Sequence, residues 1–240
     1  MTGLRSFTTL TFDCYGTLID WETGIWDALQ PLLVHNRASV GREAALEAFA
    51  ELESTQQKLT PEMRYPDVLT NVHRDFAQRF GLVARPGMER DFGASVGEWP
   101  VFADSVESLR RLGTRFDLVI LSNVDRAGFA ASARKLGATF LAVYTAEDLG
   151  AYKPAIGNFT SMMEDLASSH GVERESILHV AQSLFHDHVP ASRVGLATAW
   201  IDRQDLAGGG AWGATARVGE RPTVDFTFPD LATFADAAGV

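Results

Sequence analysis

The run Thr8-Thr9-Leu10-Thr11-Phe12-Asp13-Cys14-Tyr15-Gly16-Thr17-Leu18 changes character at a single residue. Thr8 to Phe12 is β-branched and apolar, the composition of a buried strand. It stops at a carboxylate, Asp13, and Gly16 follows where a tight turn meets little steric resistance. In open α/β sheets ligands bind outside the carboxyl ends of the strands, so Asp13 stands where chemistry is expected.

Downstream of that strand, four stretches carry helical spacing: Trp21 to His35 (with Ile25, Leu29, Leu32 and Leu33 on one face), Gly41 to Lys58, Tyr65 to Phe80 (stripe Val68, Val72, Phe76, Phe80) and Pro86 to Val96. No β-rich segment interrupts them, so Trp21 to Trp99 reads as a helical insertion, with Pro100-Val101-Phe102 as the return linker. From there α and β patterns alternate. Helices are expected at Asp104 to Leu112, Arg126 to Leu136, Asn158 to His170, Phe185 to Val194 and Leu231 to Ala238. Strands are expected at Phe116 to Leu121, Phe140 to Tyr144, Ile177 to Ala181 and Thr198 to Ile201, and the Gly-rich Leu206 to Ala216 reads as a loop. Such alternation argues for an α/β fold with a parallel sheet covered by helices on both faces. The expected division is a core of residues 1–19 and 100–240 and a helical unit of residues 20–99.

The 240 residues suffice for a core domain plus a smaller one. No apolar run reaches transmembrane length, and Met1 to Arg5 leaves no room for a signal peptide before the first strand. The single cysteine fits a reducing, cytoplasmic setting. A net charge of -10 argues against nucleic acid and requires a local positive pocket for any anionic substrate.

Three further positions fall at strand ends, where partners for Asp13 belong. Ser122-Asn123 follows one strand and offers a hydroxyl and an amide to an oxyanion or carboxylate. Lys153, in Gly150-Ala151-Tyr152-Lys153-Pro154, precedes a helix, and Asp187 closes Gln182-Ser183-Leu184-Phe185-His186-Asp187 after another strand. Cys14 reads as a small buried apolar residue. His186 and His188 flank Asp187 without completing a metal-ligand set and read as helix-surface residues.

Asp13-Cys14-Tyr15-Gly16-Thr17, Ile120-Leu121-Ser122-Asn123, Tyr152-Lys153-Pro154 and Ser183 to Asp187 together resemble the four motifs of the haloacid dehalogenase (HAD) superfamily. Tyr15, and Thr198-Ala199-Trp200-Ile201-Asp202-Arg203, resemble its 2-haloacid dehalogenase branch. The resemblance implies a Rossmann-like core with a mobile cap domain inserted after the first strand. It implies Asp13 as nucleophile, Lys153 neutralising the carboxylates, and Asp187 orienting Lys153 or the hydrolytic water. Thr17, Tyr15, Ser122, Asn123 and Ser183 would position the substrate, a small carboxylate, and a homodimer is the family's common state.

Chemistry separates the family's reactions. A phosphate ester leaves as an alkoxide that needs a proton, which HAD phosphatases supply from an Asp two residues after the nucleophile. Here that position is Tyr15, whose ordinary pKa near 10 suits it poorly to the task. Halide leaves without a proton. Mg²⁺ prefers several hard oxygen ligands, and the phosphatase-type Gly-Asp of the fourth motif reads Ala181-Gln182. The expectation is therefore a dehalogenase without metal or other cofactor, with Mg²⁺ needed only under a phosphatase reading. A third reading is a HAD-fold protein that binds a small carboxylate or a partner and turns over little. The sequence departs from the branch in one respect: its early cap-helix Arg has no counterpart in Glu43 to Gln57, where Phe49 takes the matching place between Glu47 and Glu51. Arg42 and Arg64 lie nearby and read as surface residues.

Overall fold

The computed structural model describes residues 3–240; Met1 and Thr2, part of the lead-in before the first strand, lie outside the described residues. The strands are β1 (Thr9–Phe12), β2 (Asp117–Ser122), β3 (Ala142–Thr145), β4 (Ile177–Ala181), β5 (Ala197–Ile201) and β6 (Phe226–Phe228). All pair in parallel, in the order β3-β2-β1-β4-β5-β6. This is the α/β, Rossmann-like arrangement that the alternation implies. β1 and β4 are buried at every position, and β2 at all but its first, because helices cover both faces. Leu118 and Ile120 belong to one core cluster, while Val119 and Leu121 belong to the other, as the two-residue period of a strand requires.

Parallel neighbours need crossovers. The first is the long one: α1 (Trp21–Asn36), α2 (Arg42–Leu59), α3 (Tyr65–Arg79) and α4 (Met88–Gly93), followed by a 3-10 turn at Ser95–Glu98. Asp20 caps α1 by accepting the Thr23 N–H at 3.1 Å. The return at Val101 pairs antiparallel with Ile19, closing the insertion at its root. The remaining helices are α5 (Ser105–Leu112), α6 (Arg126–Leu136), α7 (Ala146–Leu149), α8 (Ile156–His170), α9 (Val189–Arg193) and α10 (Leu231–Ala238). Phe49, Phe76 and Trp99 of the insertion share one continuous apolar cluster with Leu10 and Phe12 of β1. Among the described residues no helix is long and apolar enough to cross a membrane.

The structure departs from the sequence reading in four places. The stretch Pro86 to Val96 divides into α4 and the 3-10 turn. Phe185 to Val194 divides into a π-helical turn, Leu184–His188, and α9. Two short elements, α7 and β6, were not expected; four and three residues give too little periodicity to register. His188 is buried with Nε2 2.9 Å from the Ala181 carbonyl, and His186 faces a cavity, so neither is a helix-surface residue.

The insertion is seated through close contact between α1 and Trp99. A Cβ built at Gly24 would stand 2.3 Å from Trp99 Cγ, and Trp99 is buried with its indole N–H donated to Ser95. Gly24→Ala is expected to destabilise the protein by about 1–3 kcal/mol through overpacking. An unchanged urea midpoint would show that Trp99 moves aside freely.

Candidate active site

The chain leaves β1 through a tight loop that starts at Asp13, whose carboxylate is buried at the strand end. The Asp13 N–H donates to Val180 O at 3.1 Å, extending the ladder by one residue. Gly16 then turns at φ +98°, where a side chain would be strained, and the Leu18 and Ile19 N–H groups return to the Cys14 carbonyl. Cys14 points into the core, and burial pushes its thiol well up, with the Asp13 charge adding to the effect, so it is no nucleophile.

Asp13 is gripped from two sides. Thr17 Oγ1 donates to Oδ2 at 2.7 Å and itself accepts the Gln182 N–H at 2.9 Å. Lys153 Nζ donates to Oδ1 at 2.8 Å, to Asp187 Oδ1 at 2.7 Å and to the Leu121 carbonyl at 3.0 Å, which uses all three ammonium protons. Asn123 fixes the Lys153 backbone: its Oδ1 accepts the Lys153 N–H at 2.7 Å and its Nδ2 donates to the Lys153 carbonyl at 3.2 Å. Asp187 rides on the π-turn, a geometry that recurs at functional sites. Its Oδ1 also meets His179 Nε2 at 3.0 Å; with that N–H donating, Nδ1 accepts from Thr11 Oγ1 at 2.9 Å. Asp187 Oδ2 is buried with no partner among the described residues.

Burial disfavours every charge here, and the outcome differs by residue. Asp13 is held above the usual carboxylate range by burial and by Asp187, against the pull of Lys153 and Thr17. Burial opposes ionisation of Asp187 too, yet Lys153 and His179 outweigh it and hold that carboxyl below the usual range. The two carboxylates share one ammonium, so they titrate as a coupled pair. Lys153, despite burial, is kept charged by Asp13 and Asp187.

A cavity of about 50 Å³ opens on this cluster, large enough for a molecule of a few heavy atoms. The core supplies Asp13, Tyr15, Asn123, Lys153, Ser183 and Asp187, and the insertion supplies Trp21, Glu53, Gln57 and Tyr65. Of the residues expected at the site, Asp13, Thr17, Asn123, Lys153 and Asp187 thus form one bonded group. Tyr15 lines the cavity, but its hydroxyl is hydrogen-bonded to Ser132 Oγ at 2.8 Å, and burial pushes that phenol well above its ordinary value. Ser183 lines the cavity, with Oγ 3.3 Å from His186 Nδ1. Ser122 is buried, its Oγ 3.5 Å from the Val124 N–H, and is not among the lining residues. Arg42 and Arg64 do not line the cavity either; Arg64 pairs with Asp125 at 3.3 Å.

Most side-chain oxygens of the cluster are already engaged. Both Asp13 oxygens are hydrogen-bonded, the Lys153 ammonium bridges the two carboxylates, and Gln182 turns its amide to Thr215 at 3.0 Å and to Gln204. Among the described residues no group of three His, Cys, Asp or Glu side chains could hold an ion.

Sequence reasoning passed over His179, Glu53 and Gln57. The signals were a histidine inside a wholly buried strand, and a carboxylate and an amide at four-residue steps beyond Phe49 on the apolar face of α2.

The geometry can be set beside known proteins. No curated protein matches the chain in sequence. Among solved structures, the putative HAD-hydrolase YfnB from Bacillus subtilis, bound to magnesium, is 18% identical with a TM-score of 0.77, over 98% of this chain and 99% of that one. An L-2-haloacid dehalogenase from Xanthobacter autotrophicus with chloropropionic acid covalently bound is 18% identical with a TM-score of 0.76, over 96% and 97% of the two chains. The defluorinating L-2-haloacid dehalogenase Rha0230 is 18% identical with a TM-score of 0.78, over 98% and 96%. At such identities these likenesses speak for the fold. Membership comes from the family model for haloacid dehalogenase-like hydrolases, which matches residues 7–181, from just before β1 to the end of β4. With that match spanning well over half of the sequence, the chain belongs to the haloacid dehalogenase-like hydrolases.

Proposed function

We propose that the protein hydrolyses a carbon–halogen bond in a small 2-halogenated compound of the halocarboxylate kind, through an ester formed on Asp13. The observation that carries this reading is the Asp13–Lys153–Asp187 cluster facing a small cavity whose position for a leaving-group acid is filled by Tyr15, with its hydroxyl committed to Ser132. Halide needs no such acid. In the first step an Asp13 oxygen bonds to the halogen-bearing carbon, and the C–X electron pair departs with the halide. In the second, water adds to Asp13 Cγ, the ester C–O bond breaks, and the product leaves as an alcohol with one proton released to solvent. Lys153 and Thr17, already bonded to the carboxylate, stabilise the oxyanion that forms on Cγ. The unpartnered Asp187 Oδ2 is an acceptor that can orient the water. The helical insertion acts as the cap, since Trp21, Glu53, Gln57 and Tyr65 complete the cavity wall. Tyr15 and Gln182 weigh against the phosphatase alternative.

Halide release from 2-halocarboxylates in the presence of EDTA tests this reading. A single turnover in H₂¹⁸O should leave the label on Asp13 and unlabelled oxygen in the product. Label in the first-turnover product would overturn the ester intermediate.

A further inference from the structure

The wall contributed by the insertion contains no cation. Among the described residues that line the cavity, Lys153 is the only Lys or Arg, and its three protons are already given to Asp13, Asp187 and Leu121. Arg217, in the adjoining cleft, is paired with Glu47 at 3.0 Å. Lining the same cavity as Asp13 is a carboxyl instead. Glu53 is buried on α2, and the Tyr65 hydroxyl from α3 donates to its Oε1 at 2.6 Å. Its Oε2, and the amide of Gln57 one turn further along the same face, have no partner among the described residues.

These groups define what a substrate's far end can be. A carboxylate placed there would be buried without a free cation and beside a group that can itself become anionic, which is unfavourable. A carboxamide of the same size fits: its carbonyl accepts from a protonated Glu53 or from Gln57, and its NH₂ donates to Gln57 Oε1 or Glu53. Resting on the dehalogenation reading above, we propose that Glu53 and Gln57 form a hydrogen-bonding end wall without a cation that selects a 2-haloamide over the corresponding 2-halocarboxylate.

The titration of Glu53 sharpens the test. Burial pushes its carboxyl up to about 7, against the Tyr65 hydrogen bond. The groups that face it are Tyr65 from α3, Tyr152 from the segment before Lys153, Trp21 from α1 and Gln57 on its own helix. Across the cavity stand Tyr15, Asp13, Lys153, Asp187 and His186, the last held neutral by burial with its pKa down to about 4. Raising the pH therefore adds a negative charge to the end wall, which penalises an anionic substrate and not an amide.

The experiment compares halide release from 2-chloroacetamide and 2-chloroacetate, with Asp13→Asn as the blank for direct alkylation of the protein. At about pH 8 the amide should have the larger kcat/KM by about tenfold or more, the scale set by one like charge in a partly desolvated site. The value for chloroacetate should fall between about pH 6 and pH 8 while that for the amide holds. Glu53→Gln should narrow the ratio about tenfold and flatten the chloroacetate profile. Equal or better use of chloroacetate, or an amide preference that Glu53→Gln leaves within about twofold, would overturn the end wall and leave dehalogenation standing. Should that variant not fold, the wild-type pH profiles decide the question alone. Halide from neither substrate would overturn the dehalogenation reading, and the end wall with it.

Discussion

Asp13→Asn is expected to lower kcat/KM by at least about 10⁴-fold, the range found when a nucleophile is removed from a cooperating set. An amide oxygen of the same shape is a poor nucleophile, and no other acceptor in the cavity is bonded to both Lys153 and Thr17. The fold should survive. Because the folded-state carboxyl of Asp13 is raised, chiefly by burial, its contribution to stability is fully present below the unfolded carboxylate value of about 3.9 and is lost as the pH rises through the folded value. At neutral pH the ionised Asp13 is thus a net burden on folding, retained for its chemistry. A neutral Asn, whose one oxygen can keep the Lys153 bond while its NH₂ donates to Thr17 Oγ1, should melt at or above the wild-type temperature. Measured together, kcat/KM and the melting curve separate the two effects. Retained turnover would sink the nucleophile assignment, and a collapsed melting temperature would show that the charge on Asp13 supports the fold.

What could be read from the sequence follows from where the chemistry lies. Asp13, Ser122 and the Gln182–Asp187 segment each follow an apolar β run, and a polar residue that ends such a run is visible without any structure. The crossover helices were legible because apolar residues recur at helical spacing: Arg126–Leu136 and Leu231–Ala238 coincide with α6 and α10. What stayed hidden depends on distance in the chain. Asn123 lines the cavity as expected of a residue near the substrate, but the use of its amide on the Lys153 backbone thirty residues later could not be read from the sequence. Glu53 sits on the buried face of α2, but only the packing of α2 and α3 over the strand ends brings it to a cavity with Asp13. The π-turn was invisible for another reason: it repeats the composition of an ordinary helix and differs only in the ladder that closes it.

Lys153→Met is the second large effect. Methionine approximates the stem's volume, so the change isolates the loss of the ammonium and its three hydrogen bonds. Breaking a buried ion pair from one side typically costs about 3–5 kcal/mol, because the remaining charge is left without compensation. Here two carboxylates are left. In the wild type Asp187 is depressed, so its contribution to stability is present above the unfolded value of about 3.9 and is lost as the pH falls through the folded one. Without Lys153 the sign reverses. Burial and the neighbouring Asp13 then raise the carboxyl, and stability is lost as the pH rises above about 3.9 while the pair holds on to one proton. The stability gap between variant and wild type should therefore widen from about pH 5 to about pH 8 in urea unfolding, with turnover absent throughout. A gap that ignores pH would mean that Lys153 serves the fold by packing alone. The double variant Lys153→Met with Asp13→Asn supplies the internal check. Removing one of the two stranded charges should recover part of the loss, since residues in one bonded network are not additive. If the double variant showed only the sum of the two single effects, Asp13 and Asp187 would not be competing for the same cation, and the bridging role of the ammonium would fall with it.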